Sequence, residues 1–418
     1  MKSTAVRARM GNNGLTRFGN FMTITSLSRR LHIPPSNDPW GRTLRRAGLV
    51  YLLSRLFVIM GSAIAVAAQA VVDRTNDVEP VNGLSGLADN LANWDGHWYL
   101  DVVREGYPHH IMPNVTYLVS DARAAFFPLY PRLVHYLDVV IPGGPVSVAL
   151  AVNIILGACF VFLAGYLCRG LFDIKTAEKA MILIALFPGS FVLSMAYSEA
   201  LMLTIVALCF IALRDKHWLW AGVLAAMATA TRPNGVALVA ACAVASLLAI
   251  RNDRDWRSLI APALSPLGFI GFMWFLRMHT GEDWAWFRVQ SEAWQEGTSF
   301  GATAVQRTID FFIHPASSPT SVLTAASVAA MLIALYAARK YKMNLIYWSY
   351  TTVILALMLI PATVTARPRF LFTAFPLFFP VARALRDDED KWWPLTIMVM
   401  IGGLVTVTGI YGVRGAIP

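Results

Sequence analysis

The sequence predicts an all-α integral membrane protein, a polytopic bundle of about eleven transmembrane helices whose extracytoplasmic loops carry interfacial helices. Three observations predict it. Of 418 residues, 56% are hydrophobic and only 14% charged, whereas a soluble globular chain carries roughly 25% charged residues. Apolar runs recur at the length that crosses about 30 Å of hydrocarbon, a medium spanned only by helices and closed barrels. The net charge of +10 also follows topology: every lysine falls on the inner side of the predicted spans, as the positive-inside bias demands. That distribution points to a membrane and away from nucleic acid.

Residues 1–46 form a basic arm containing Lys2, Arg7, Arg9, Arg17, Arg29, Arg30, Arg42, Arg45 and Arg46. It has no apolar core with a cleavage site, so it reads as a cytoplasmic amino terminus able to meet membrane lipids. The membrane domain is predicted over 47–412. Its first span, Ala47–Val72, contains Arg55, expected to snorkel to the cytoplasmic interface. Outer loop 1 follows at 73–145. Its segment 125–141 carries Pro128, Pro131, Arg132, His135 and Asp138, and reads as an interfacial or re-entrant helix. Further spans are placed at 146–168, 180–195, 197–213, 217–231, 236–250, 258–278, 320–338, 344–361, 370–384 and 393–412. Outer loop 2 lies at 279–319, and an extracytoplasmic tail at 413–418. Cys159, Cys168, Cys209 and Cys242 all fall inside apolar spans, which argues against a disulfide framework or a thiolate metal site.

The stretch Asn93–Tyr107 departs from this monotony by mixing aromatics, acids, a histidine and an arginine. Such a mixture suits a site that grips a polar ligand between flat rings; the alternative is an interfacial segment with tryptophans at the headgroups. A lone carboxylate among tryptophans is partly desolvated and makes a better general base. Asp95, Asp101 and Glu105 compete for that role. Other chemically distinct segments face the same side: Tyr197-Ser198-Glu199, Arg232-Pro233-Asn234-Gly235, the 279–319 loop and Arg367-Pro368-Arg369. The chain has no Asp-x-Asp, His-Glu-x-x-His or glycine-rich phosphate loop, and His109-His110 reads as an ordinary loop pair. No metal or cofactor is expected.

Trp94-Asp95-x-x-Trp98-Tyr99, then Gly106-Tyr107, then Phe126-Phe127-Pro128-Leu129-Tyr130-Pro131, resembles the first extracytoplasmic loop of the PIG-V family, GPI mannosyltransferase 2-like enzymes and their bacterial relatives with the GT-C glycosyltransferase fold. The resemblance runs over 47–412. It implies a GT-C-like bundle and an inverting transfer of mannose from a polyprenyl-phosphate-mannose donor to a glycolipid, glycan or protein acceptor. Asp95, which matches the motif aspartate, becomes the implied catalytic base. Thr231-Arg232-Pro233-Asn234-Gly235 resembles the family's Arg-x-Asn-Gly segment, and Arg367-Pro368-Arg369-Phe370 before Phe375-Pro376 is also family-like.

A donor phosphate needs cations, and arginine supplies a planar fork for its oxygens. Arg232, Arg367 and Arg369 are the candidates, with His97 and Arg123 as secondary ones by loop position. Trp94, Trp98, Tyr99, Glu199 and Asn234 are candidate substrate contacts. So are Gln290 and Trp294, on an interfacial helix within 284–294 resembling a family element. The short, Ala-rich loops resemble bacterial members, which implies a plasma membrane; a eukaryotic chain would occupy the endoplasmic reticulum. Transfer of another sugar is the nearest rival reading. A transporter or flippase is another, but it would carry ionisable groups near the midplane and show related halves.

Overall fold

A computed structural model describes residues 38–416 apart from 77, 80–82, 316–317, 364–365 and 388. Most of the basic arm and the last two residues of the tail therefore lie outside the described residues. Within them the chain is helical, with no strand and a single isolated bridge between Thr298 and Pro361.

The long first helix α1 (Pro39–Thr75) starts where Pro39 occupies the first turn and Asp38 accepts from the backbone N–H of Trp40 and Gly41, leaving no orphan donor to pair. Two short helices follow in outer loop 1, α2 (Gly83–Leu91) and α3 (Asp95–Glu105), then α4 (Leu129–Asp138). The bundle continues with α5 (Gly144–Leu171), α6 (Ile174–Leu186), α7 (Glu199–Arg214), α8 (Trp218–Thr229), α9 (Ala237–Asp253), α10 (Ile260–Leu264) and α11 (Leu267–Thr280). Outer loop 2 contributes α12 (Ala285–Ala293) and α13 (Ala302–Ile313), after which come α14 (Pro319–Lys340), α15 (Leu345–Leu359), α16 (Pro368–Thr373), α17 (Phe378–Asp387) and α18 (Glu389–Gly412).

Six stretches are long and apolar enough to cross a membrane: α1, α5, 233–253, 256–280, α14 and 391–412. A seventh arises if α6 and the 3₁₀ turn Pro188–Ser194 count as one broken span, and α8 and α15 are shorter apolar helices. The protein is thus multi-pass, but the count of about eleven is not reproduced by length. Two expected spans are broken, and proline is the cause. Pro188 cannot continue α6, and the chain bends by 73° there. Pro376 likewise separates α16 from α17, because proline lacks the N–H that a helix interior needs.

These breaks position the site. Pro188–Ser194 packs against both α16 and α18, and α18 packs along α1. Arg55 does not snorkel. It is buried and donates to Ser54 Oγ, to Ser190 O at 2.7 Å and Oγ at 2.9 Å, to Ser194 Oγ at 3.1 Å and to Ala185 O at 3.1 Å. The helix break exposes acceptors that a continuous helix would have used internally, and a planar five-donor group satisfies them.

Candidate active site

Asp95 is the first residue of α3, and Trp94 sets its position. Trp94 adopts φ 57°, ψ −123°, an unusual backbone for a bulky residue that costs on the order of 1–3 kcal/mol. Two bonds hold it there. Its N–H donates to Asn93 Oδ1 at 2.9 Å, and its indole Nε1–H donates to the Tyr411 carbonyl on α18 at 3.0 Å. The start of α3 is thereby fixed to the last helix.

Glu199 opens α7 and is 0% exposed. Arg369, on the first turn of α16, joins the two acids: its Nε–H donates to Glu199 Oε1, and its Nη2 donates to Asp95 Oδ2. The same guanidinium lies 4.5 Å from the ring centre of Tyr197, a cation–π contact strengthened by burial. Arg232, which precedes the 3₁₀ turn Pro233–Val236, pairs with the other Glu199 oxygen and lies 3.4 Å from Ser198 Oγ. Ser198 Oγ in turn shares a 2.6 Å hydrogen bond with Tyr99 OH. Below this cluster Asn153 of α5 donates to the Tyr197 carbonyl at 2.6 Å and to Tyr130 OH at 3.0 Å, locking the turn that leads to Glu199.

Two carboxylates and two guanidinia make the cluster neutral overall. Asp95 is therefore not a lone carboxylate among tryptophans; its side chain is 29% exposed and faces Arg369. Arg232 and Arg369, both expected from the sequence to bind a phosphate, are here paired with Glu199 and, for Arg369, also with Asp95.

Arg367 differs. It is 2% exposed, and its Nε and one Nη have no hydrogen-bond partner among the described residues. Burial holds its guanidinium below the usual arginine value; the Tyr411 hydroxyl opposes this and the Arg307 cation adds to it. Arg307, on α13, donates to Thr363 O at 3.4 Å; one of its Nη atoms and the Tyr411 hydroxyl have no hydrogen-bond partner among the described residues. Buried donors are normally satisfied, and a buried unmatched charge is costly. Arginine donors of this kind are suited to the oxygens of an anion.

Aromatic rings cluster around the rest of the 94–99 segment. Trp98 stacks on Phe126 at 6.2 Å and meets Trp294 edge-on at 6.3 Å, while Tyr99 packs against Phe126 and Tyr130 at 5.0 and 5.2 Å. Trp294, nearly two hundred residues away along the chain, is thus brought beside the 94–99 segment.

The remaining candidates sit elsewhere. His97 is exposed and pairs with Asp101 at 3.2 Å, on a different face from Asp95. Burial raises the Asp101 carboxyl above the ordinary aspartate value, and the His97 partner opposes this. Arg123 staples its own loop, donating to Gly106 O at 2.8 Å and Ser120 O at 2.9 Å beside Glu105 at 3.4 Å. Asn234 and Gln290 make no side-chain hydrogen bond among the described residues. Sequence reasoning missed Arg307 and Tyr411, and named Ser198 only within the Tyr197-Ser198-Glu199 segment. For Arg307 a signal exists: it is the only cation of α13, whose Val305, Ile309 and Phe312 are exposed apolar residues.

Residues 45–253, half of the chain, match the family described as Mannosyltransferase (PIG-V). The chain belongs to the PIG-V mannosyltransferase family. The matched segment contains Asp95, Glu199 and Arg232; Trp294, Arg307, Arg367 and Arg369 lie beyond it. The fold is similar to that of ArnT from Cupriavidus metallidurans, solved bound to undecaprenyl phosphate, with 11% identity, 87% of this chain and 77% of that chain covered, and a TM-score of 0.51. The apo oligosaccharyltransferase of Archaeoglobus fulgidus is also similar, at 11% identity over 87% of this chain and 56% of that one, with a TM-score of 0.41. This chain spans little more than half the length of the archaeal enzyme. No curated protein matches. A PIG-V family chain with the GT-C architecture is a multi-pass membrane glycosyltransferase.

Proposed function

We propose that this PIG-V family member transfers mannose, with inversion, from a polyprenyl-phosphate-mannose donor to a glycolipid, glycan or protein acceptor at the extracytoplasmic face of a bacterial plasma membrane. One observation carries the reading: Asp95 is ion-paired with Arg369, and two positions before Arg369 the buried Arg367 keeps its Nε and one Nη without a hydrogen-bond partner among the described residues. The undecaprenyl phosphate bound to ArnT supports a lipid-phosphate ligand for this fold.

The chemistry follows from the placement. The acceptor hydroxyl lies against Asp95 and gives up its proton to that carboxylate as its oxygen attacks the anomeric carbon. The bond from that carbon to the phosphate oxygen breaks on the opposite face, and the lipid phosphate leaves with the electron pair. Arg367 and Arg307 stabilise the charge developing on the leaving phosphate. Arg369 orients Asp95 through their ion pair, while Glu199, itself paired with Arg232, holds Arg369. Trp98 and Trp294 offer apolar faces to a sugar ring.

The test uses purified protein in lipid nanodiscs with polyprenyl-phosphate-[¹⁴C]mannose and a lipid and glycan extract from the host. Label should pass to product with the wild type and fail to do so with folded Asp95→Asn. Equal transfer by both would remove Asp95 from the mechanism.

A further inference from the structure

A cavity of about 330 Å³ lies between the carboxyl end of α3, α4 and the last turn of α11. It is separate from the Asp95 cluster, which gathers at the other end of α3, roughly 10–15 Å away at about 1.5 Å per residue. Its polar lining is Arg104, Glu105, His109, Arg132, His135 and His279.

The charges do not cancel. Glu105 is engaged by Arg123 at 3.4 Å, and Arg104 lies 3.8 Å from Asp101. Arg132 has no ion-pair partner among the described residues and is exposed. His279 Nε2 is 3.2 Å from the Tyr107 carbonyl, His135 Nδ1 is 3.2 Å from the Val103 carbonyl, and His109 stacks on His279 at 4.1 Å. Among the described residues no three such groups are gathered closely enough to hold a metal ion. What remains is a cavity with one unmatched guanidinium, Arg132, and a second, Arg104, held by Asp101 only at 3.8 Å, a pair of guanidinium donors for an anion of phosphate size.

Its depth in the membrane selects the carrier of that phosphate. His279 lies one residue from the end of the 256–280 stretch, which is long and apolar enough to cross a membrane, and the end of such a span meets the headgroups. Trp274, Met278 and Tyr136, next in sequence to the lining residues Phe275, His279 and His135, are exposed, apolar surface suited to acyl chains.

We propose that this cavity is a second phosphate site, which binds the headgroup of an anionic lipid independently of the donor site at Arg367. The lipid is either a bilayer phospholipid or a lipid-phosphate substrate, and two probes separate these. Phosphatidylglycerol and undecaprenyl phosphate are titrated separately into the detergent-purified full chain, and retained lipid is counted by native mass spectrometry. Arg132→Glu should weaken phosphatidylglycerol retention at least about tenfold, equivalent to about 1.4 kcal/mol. Arg132→Lys should largely restore it, and Arg367→Ala should leave it unchanged. If undecaprenyl phosphate alone loses affinity in Arg132→Glu, the site belongs to a lipid-phosphate substrate. Arg132 is exposed, so thermal unfolding of its variants should match the wild type. Retention of both lipids that is indifferent to Arg132 overturns the proposal, as does loss of both in Arg367→Ala with none in Arg132→Glu.

Discussion

A Cβ built on Gly189 would sit 2.1 Å from the Pro368 carbonyl oxygen. The backbone of the broken span therefore touches the backbone that carries Arg367 and Arg369, with no room for a side chain between them. Gly189→Ala is expected to push α16 away, at a cost of about 1–3 kcal/mol from overpacking, and to reduce transfer by misplacing Arg369. Gly271 has open space around its Cβ position, so Gly271→Ala should leave both unfolding temperature and transfer near wild type. Equal behaviour of the two variants would show that the contact does not constrain α16.

Glu199 and Asp95 share Arg369 but should fail in different ways. Glu199→Gln leaves Arg232 and Arg369 buried with one carboxylate between them, and removal of a partner from a buried ion pair costs about 3–5 kcal/mol. Asp95→Asn leaves Arg369 its bonds to Glu199, so the fold should be nearly unaffected while transfer falls by roughly 10²–10⁴-fold. Thermal unfolding in nanodiscs alongside radiolabel transfer tests this. A stable Glu199→Gln with an unfolded Asp95→Asn would reverse the assignment.

Arg367 should trade stability for function. Its buried, unpartnered donors disfavour the fold, so Arg367→Met should raise the unfolding temperature, consistent with roughly 1–3 kcal/mol for relieving an unsatisfied buried group. Donor binding should fall at the same time, seen as a higher KM for polyprenyl-phosphate-mannose. A destabilised Arg367→Met would mean that the guanidinium has a structural partner.

Arg55 should behave in the opposite sense. Arg55→Met removes the donors that cap the carbonyls at the α6 break, so it should destabilise the protein by about 2–4 kcal/mol. Ser190→Ala removes one acceptor and should cost about 1 kcal/mol. A neutral Arg55→Met in a thermal unfolding assay would return Arg55 to the snorkelling role read from the sequence.

Much of this was legible along the chain. Apolar run length and the dearth of charge determined a helical membrane protein, because a bilayer leaves the backbone no other way to satisfy itself. The mixed chemistry of Asn93–Tyr107 and its family-like spacing singled out Asp95, and isolated charges at span ends singled out Glu199, Arg232, Arg367 and Arg369. Charge type and position are local properties, so one dimension suffices to read them.

Partnership is not local. That Arg369 pairs with Asp95 across 274 residues, while Arg367, two positions earlier, pairs with no acid among the described residues, depends on side chains that leave the α16 start in different directions. Arg55 reads as a snorkelling residue until the break at Pro188 supplies acceptors inside the bundle, and Trp294 meets Trp98 only once outer loop 2 folds over outer loop 1. The sequence by itself determined which residues carry charge and which segments enter the membrane. Only the tertiary structure decided which charges neutralise one another and which keeps donors without a partner among the described residues, because electrostatic balance in a low-dielectric interior is set by contacts a few ångströms long.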